Sequence, residues 1–186
     1  MPQLLGTLAL GVLMSASLLL TPQSAGQPRT VTPENGPSLP RAGEATRHEL
    51  LGAVDLYSVA IYADAPLTDA ARLRSPDRSK AVRLVVLSDD HDLGIRVRTD
   101  WWRELVPRLQ PDAMAQLQST FSTLRHGDVL LVEYVPGRGT RLRVNQIVAA
   151  SRASHDLMLA FLDHWLGQRP VSEDMKAALI SGQPMQ

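Results

Sequence analysis

Arg47 leads into an apolar stretch that runs from Gly43 to Ala63 and carries Tyr57 and Tyr62 further along. A guanidinium stays charged and offers a planar fork of N–H donors that suits a carboxylate or phenolate oxygen. In this setting it is either the oxygen-binding group of a cleft, strengthened by low dielectric, or a rim residue paired with Glu44, Glu49 or Asp55. Tyr57 would be a second donor beside it, or a sheet-core aromatic whose hydroxyl finds a local partner. Near the C-terminus His164 lies three residues after Phe161 and seven after Leu157, on their helix face. It is either a packed neutral imidazole or a cleft donor that titrates near neutrality. Trp102, Phe161 and Trp165 would supply apolar walls. Together these residues suit one kind of chemistry: holding, or polarising, an anionic or carbonyl oxygen on a small hydrophobic molecule in a mostly apolar pocket.

Other polar residues point to less. Asp89, Asp90, His91 and Asp92 are adjacent, so they point in different directions and have no partner histidine at ligand spacing. They read as a helix cap rather than a metal site. His126 and His155 read as loop and helix-start residues, and Asn145 as structural. The chain has no cysteine, which excludes disulfides, thiolate metal sites and a lipoprotein anchor. No glycine-rich phosphate loop and no Ser-His-Asp arrangement occurs, so neither a metal nor a cofactor is expected.

The elements that must position these groups follow from periodicity. Glu44–Leu51 and Ala53–Ala63 read as two strands joined at Gly52, the second rich in β-branched and aromatic residues. Because Tyr57 and Tyr62 are an odd number of residues apart, a regular strand puts them on opposite faces. Thr68–Arg74 is a short surface helix or turn, and Ala81–Ser88 a third strand. A helix from the acidic cluster to about Val106 and another opened by Pro111, with Met114, Leu117, Phe121 and Leu124 at helical spacing, fill the middle. Asp128–Val135 and Arg141–Val148 form a hairpin around Pro136–Gly139. Leu130, Val132 and Tyr134 share a face with Leu142 and Val144 if the loop holds three or five residues, and Glu133 is expected opposite Arg143. Ser154 then caps a helix apolar almost all round that ends at Gly167, and Ser172 caps a final short one. The order predicts an α+β fold with an antiparallel sheet and helices on one face.

Leu4–Leu20 is an uncharged apolar run followed by small residues at Ser24–Gly26. It reads as a cleaved secretory signal over 1–26, with an uncleaved anchor as the alternative. The mature protein would then be periplasmic or secreted, with no stable membrane insertion. Residues 27–40, rich in Pro, Gly, Ser and Thr, read as a flexible linker, and 41–186 as one domain of ordinary size. Basic and acidic side chains balance at 19 each, which argues against nucleic acid and against anionic lipid surfaces. Lysine occurs only at Lys80 and Lys176. The oligomeric state is left open.

Gly43-x-x-x-Arg47 followed by Tyr57-x-x-x-Ile61-Tyr62 resembles the opening motif of the chalcone isomerase-like superfamily. The similarity continues through Trp101-Trp102, through H-G-D-V-L-L-V-E-Y-V-P-G-R-G-T from His126, and through F-L-D-H-W-L-G-Q-R-P-V-S from Phe161. The pattern resembles that of the bacterial exported members. The resemblance implies an open-faced β-sandwich, in which a long antiparallel sheet is covered on one face by helices with a ligand cleft between the layers. Plant members of the superfamily close chalcones by attack of a phenolate on an enone; other relatives bind fatty acids through an arginine and a tyrosine. Arg47 matches the catalytic arginine. Tyr57 falls near a catalytic threonine of the plant enzymes, and His164 and Trp165 fall where those keep a threonine or serine and an apolar residue. Their helical tyrosine and asparagine have no counterpart, Gly94 and Trp101 lying nearest. The resemblance therefore implies a fatty-acid-like ligand held by Arg47, Tyr57, Trp102, Phe161, His164 and Trp165. An intramolecular lyase with Arg47 as electrophile and a non-catalytic envelope interaction protein are the alternatives.

Overall fold

The computed structural model describes residues 26–49, 54–88, 119 and 124–182. Seven strands follow one another as an antiparallel meander, each bonded to its neighbour in sequence: β1 (Thr30–Val31), β2 (Leu39–Glu49), β3 (Val54–Ala63), β4 (Lys80–Val86), β5 (Val129–Val135), β6 (Gly139–Val144) and β7 (Ile147–Arg152). Among the described residues three helices accompany them: α1 (Ala70–Arg74), α2 (Asp156–Leu166) and α3 (Glu173–Ser181). This is the expected α+β architecture.

Alternation along the strands builds a core on each face of the sheet. On the helix-facing side Ala45, Tyr57, Val59, Ile61, Val82, Leu84, Leu130, Val132 and Leu142 pack with Leu157, Phe161 and Trp165 of α2 and Met175 and Leu179 of α3. Leu39, Ala60, Tyr62 and Ala81 form a smaller core on the outer face, with Val31 and Leu131 against it. Tyr57 and Tyr62 thus lie on opposite faces, as their spacing predicts. Helix α2 is buried along most of its length, through Leu157, Met158, Ala160, Phe161, Leu162, His164 and Trp165.

The β5–β6 hairpin has the expected faces and an odd loop, Pro136–Arg138, closed by the Val135–Gly139 pair. That three-residue loop moves the register by two from the expected pairing: Arg141 stands opposite Glu133, and Arg143 faces Leu131. The Glu133–Arg143 ion pair forms on the diagonal instead, at 2.8 Å. The strand expected to run from Arg141 to Val148 is two strands. Asn145 and Gln146 take φ of 48° and 75°, the left-handed pair of a two-residue hairpin. The Asn145 side chain holds the turn, accepting from the Val129 N–H and donating to Asp128. Helix α2 begins one residue later than a Ser154 cap implies, and the Ser154 hydroxyl accepts from the Asp156 N–H. Ser172 caps α3 as expected.

The stretch read as a flexible linker over 27–40 is instead held against the folded sheet, and contributes β1 and the start of β2 to it. β1 pairs with β2 through Thr30–Pro40 and Val31–Leu39, and Leu39 is buried. Gln27 is 5% exposed. Its amide donates to the Ser58 hydroxyl at 2.9 Å and accepts from Arg83 at 2.7 Å, while Tyr62 donates to the Pro28 carbonyl at 3.0 Å. Composition suggests a tether; long-range hydrogen bonds, buried or partly buried, fix the segment in place.

Candidate functional site

Strands β2 and β3 pair without interruption from Gly43–Ile61 to Arg47–Tyr57, with β-bulges on either side, at Arg41/Gly43 and Arg47/His48. Directly opposed residues of an antiparallel pair point to the same face. Arg47 therefore shares the helix-facing side with Tyr57. Gly43 allows the close packing that frames this side: a Cβ there would lie 2.2 Å from the Leu179 carbonyl oxygen of α3, so the helix rests on bare β2 backbone. Two of the carboxylates that a rim arginine would pair with are engaged elsewhere. Glu44 pairs with Arg41, and Asp55 with His48 at 2.5 Å.

Helix α2 brings the C-terminal residues to this face. Trp165 donates its indole N–H to the Tyr57 hydroxyl at 3.3 Å, and the two rings meet edge-on with centroids 6.5 Å apart. Phe161 stacks on Trp165 at 6.5 Å, and the buried His164 ring stands edge-on to it at 4.9 Å. The structure thus brings together Arg47 with Tyr57, and Tyr57 with Trp165, Phe161 and His164. Trp102 lies outside the described residues, as do Gly94, Trp101, the Asp89–Asp92 cluster and nearly all of both helices expected between 89 and 124. Tyr62 is turned away on the outer face, where burial pushes its hydroxyl up to about 12. Two clefts lined by described residues lie elsewhere: one of about 510 Å³ beside the Arg74–Asp163 ion pair, the other of about 500 Å³ on the outer face.

Sequence reasoning missed a second polar cluster. Lys80 heads β4 and is 1% exposed. Its ammonium donates to the Ser75 carbonyl at 2.6 Å, lies 2.9 Å from His155 Nε2, and sits 5.0 Å from the centre of the Tyr134 ring. An ammonium is only a donor, so Nε2 must accept and the His155 proton resides on Nδ1. Burial, followed by the Lys80 charge, holds His155 down to about 4, and burial lowers Lys80 to about 8. The available signal was the rarity of lysine: one of only two in the chain heads an apolar strand. Among the described residues no group of His, Asp and Glu could hold a metal ion, and no helix is long and apolar enough to cross a membrane.

A profile described as chalcone isomerase-like matches residues 25–181. Among solved structures the chain is similar to a fatty-acid binding protein of Arabidopsis thaliana, with 19% identity and a TM-score of 0.53, over 81% of this chain and 95% of that one. At that identity the likeness establishes the fold. No curated protein matches.

Proposed function

The chain belongs to the chalcone isomerase-like family, and from that premise we propose that it binds a small hydrophobic molecule with an anionic or carbonyl oxygen, such as a fatty acid, between the sheet and the helices. The observation that carries this reading is the pairing of Arg47 with Tyr57 on the helix-facing side, next to an aromatic group anchored by the Trp165–Tyr57 hydrogen bond. Arg47 would hold the oxygen by charge-assisted hydrogen bonds, and Trp165 and Phe161 would contact the apolar body, with Trp102 and His164 completing the walls. The fatty-acid binding of the Arabidopsis protein of the same fold supports the ligand class. Export to the periplasm or beyond is part of the same reading. It is supported by the apolar run Leu4–Leu20 and by a family match that begins only at residue 25.

Native mass spectrometry and thermal unfolding with palmitate test the proposal. A bound acid in wild type, together with a stabilisation that Arg47→Ala loses, is expected; ligand present at a hundred times its Kd adds about 2.7 kcal/mol. A clean apo mass and an unchanged Tm for wild type would sink it.

A further inference from the structure

The outer face of the sheet carries a cleft of about 500 Å³ that the reading above does not use. Its floor is one cross-strand row, in which Arg83 of β4 and Arg143 of β6 flank Leu131 of β5. The two arginine Cα atoms are two strand spacings apart, roughly 9–10 Å, so both guanidinium groups can reach over the leucine. Val129 extends the apolar floor and Val31 of β1 forms a wall. Leu131 packs against the small outer core. The cleft exists because the segment before β2 is bound to the sheet, with Gln27 fixed on Ser58 and Arg83.

Charge and hydrogen bonding here are unbalanced. Arg143 pairs with the buried Glu133 at 2.8 Å, and Glu133 also accepts from the Glu34 N–H at 3.0 Å. Arg83 bonds only to the neutral amide of Gln27 and has no carboxylate partner among the described residues. Two guanidinium groups against one carboxylate leave one positive charge beside an apolar floor. The Nε–H of Arg143 is buried and makes no hydrogen bond, in a side chain only 17% exposed. Buried donors are nearly always satisfied, so this one is open to an acceptor that enters the cleft.

We propose that this outer cleft binds a small organic monoanion, an alkyl or aryl carboxylate, with its carboxylate between Arg83 and Arg143 and its apolar body over Leu131 and Val129. A single negative charge neutralises the excess, its oxygen accepts from Nε of Arg143, and the cavity is of the size that encloses such molecules. Phosphate and other small dianions lack the apolar part that the floor offers.

Octanoate is the probe, with octanamide as its uncharged counterpart, and residue-resolved NMR locates the binding. Octanoate is expected to shift the Arg143 Nε–Hε and Leu131 methyl signals, whatever it does to the Trp165 indole signal on the opposite face. Arg83→Gln, which disturbs no ion pair, should weaken that outer-face binding about tenfold. Arg143→Lys keeps the charge beside Glu133 but lacks Nε, and should weaken it as well. Octanoate that leaves both outer-face signals unmoved, octanamide that binds there equally well, or wild-type affinity in both variants would each overturn the proposal.

Discussion

Replacing His155 with glutamine tests the buried Lys80 cluster through acid stability. In the folded protein His155 is neutral because Nε2 accepts from the Lys80 ammonium at 2.9 Å, and burial and that charge hold its pKa near 4 rather than 6.5. Between those values the unfolded chain binds a proton that the folded protein refuses. This contribution to stability is therefore complete above about pH 6.5, falls as the pH drops through the window, and is gone below about 4. The difference of 6.5 minus about 4, at about 1.36 kcal/mol per pKa unit, gives an upper limit of about 3.4 kcal/mol. His155 is partly exposed, and solvent screening reduces the expected loss to about 1–2 kcal/mol. Asp156 opposes the effect at His155, and Asp64 supports the Lys80 charge; the Tyr134 ring packs on His155 with centroids 4.3 Å apart. A glutamine side chain in its place would still accept from Lys80 but would not titrate. Urea unfolding of wild type and His155→Gln at steps from pH 7 to 4 isolates the contribution, because the carboxylates act in both. The wild-type midpoint should fall more steeply, with the gap opening between pH 6.5 and 4. Parallel curves over that interval would show that Lys80 and His155 do not share a proton-dependent contact.

Three further outcomes can be measured by denaturant or thermal unfolding. Gly43→Ala should destabilise by about 3 kcal/mol, at the upper end of overpacking losses, because its Cβ meets the Leu179 carbonyl on α3 at 2.2 Å; an effect under about 1 kcal/mol would mean that α3 does not sit on β2 there. Gln27→Ala should lose about 1–3 kcal/mol through the buried bond to Ser58 and the partly buried one to Arg83, and a wild-type midpoint would restore the view of 27–40 as a tether. Asn145→Gly, which tolerates the left-handed turn but loses the side-chain bonds to Val129 and Asp128, should lose about 1 kcal/mol, and Asn145→Ala more, since alanine also strains at φ 48°.

What could be read from the sequence was what local periodicity controls. Alternation placed Leu130, Val132 and Tyr134 with Leu142 and Val144, and odd spacing separated Tyr57 from Tyr62, because a strand's side chains have a fixed period of two. The turn at Asn145-Gln146 is not legible because glutamine at positive φ carries no composition signal, unlike the Asn-Gly pair that usually announces such a hairpin. The N-terminal segment differs from its composition for another reason. Its fixation depends on partners 31 and 56 residues away, which no window of local composition contains. The Lys80–His155 contact, across 75 residues, was hidden in the same way, as was the reach of Trp165 to Tyr57 across 108. For the candidate residues this means that the Arg47–Tyr57 pairing follows from one hairpin, while the contact of Trp165 with Tyr57 depends on the tertiary packing of α2.

The spacing of the Gly43-x-x-x-Arg47 motif follows from the same geometry. Four residues is an even number, so the two side-chain positions share a face. Ile61 and Tyr57, their cross-strand partners, are also four apart. Nothing disturbs that phase between the bulges at Arg41/Gly43 and Arg47/His48. Each position on the face has its own role. Gly43 lets α3 reach the backbone, Ala45 keeps the middle low and buried, and Arg47 stands next to Tyr57 just before the strand goes out of phase. A bulge placed between Gly43 and Arg47 would turn the guanidinium to the outer face, the side that already carries Arg83 and Arg143. The motif is therefore a rule about phase as much as about residue type: it holds one arginine on the side of the sheet that the helices cover.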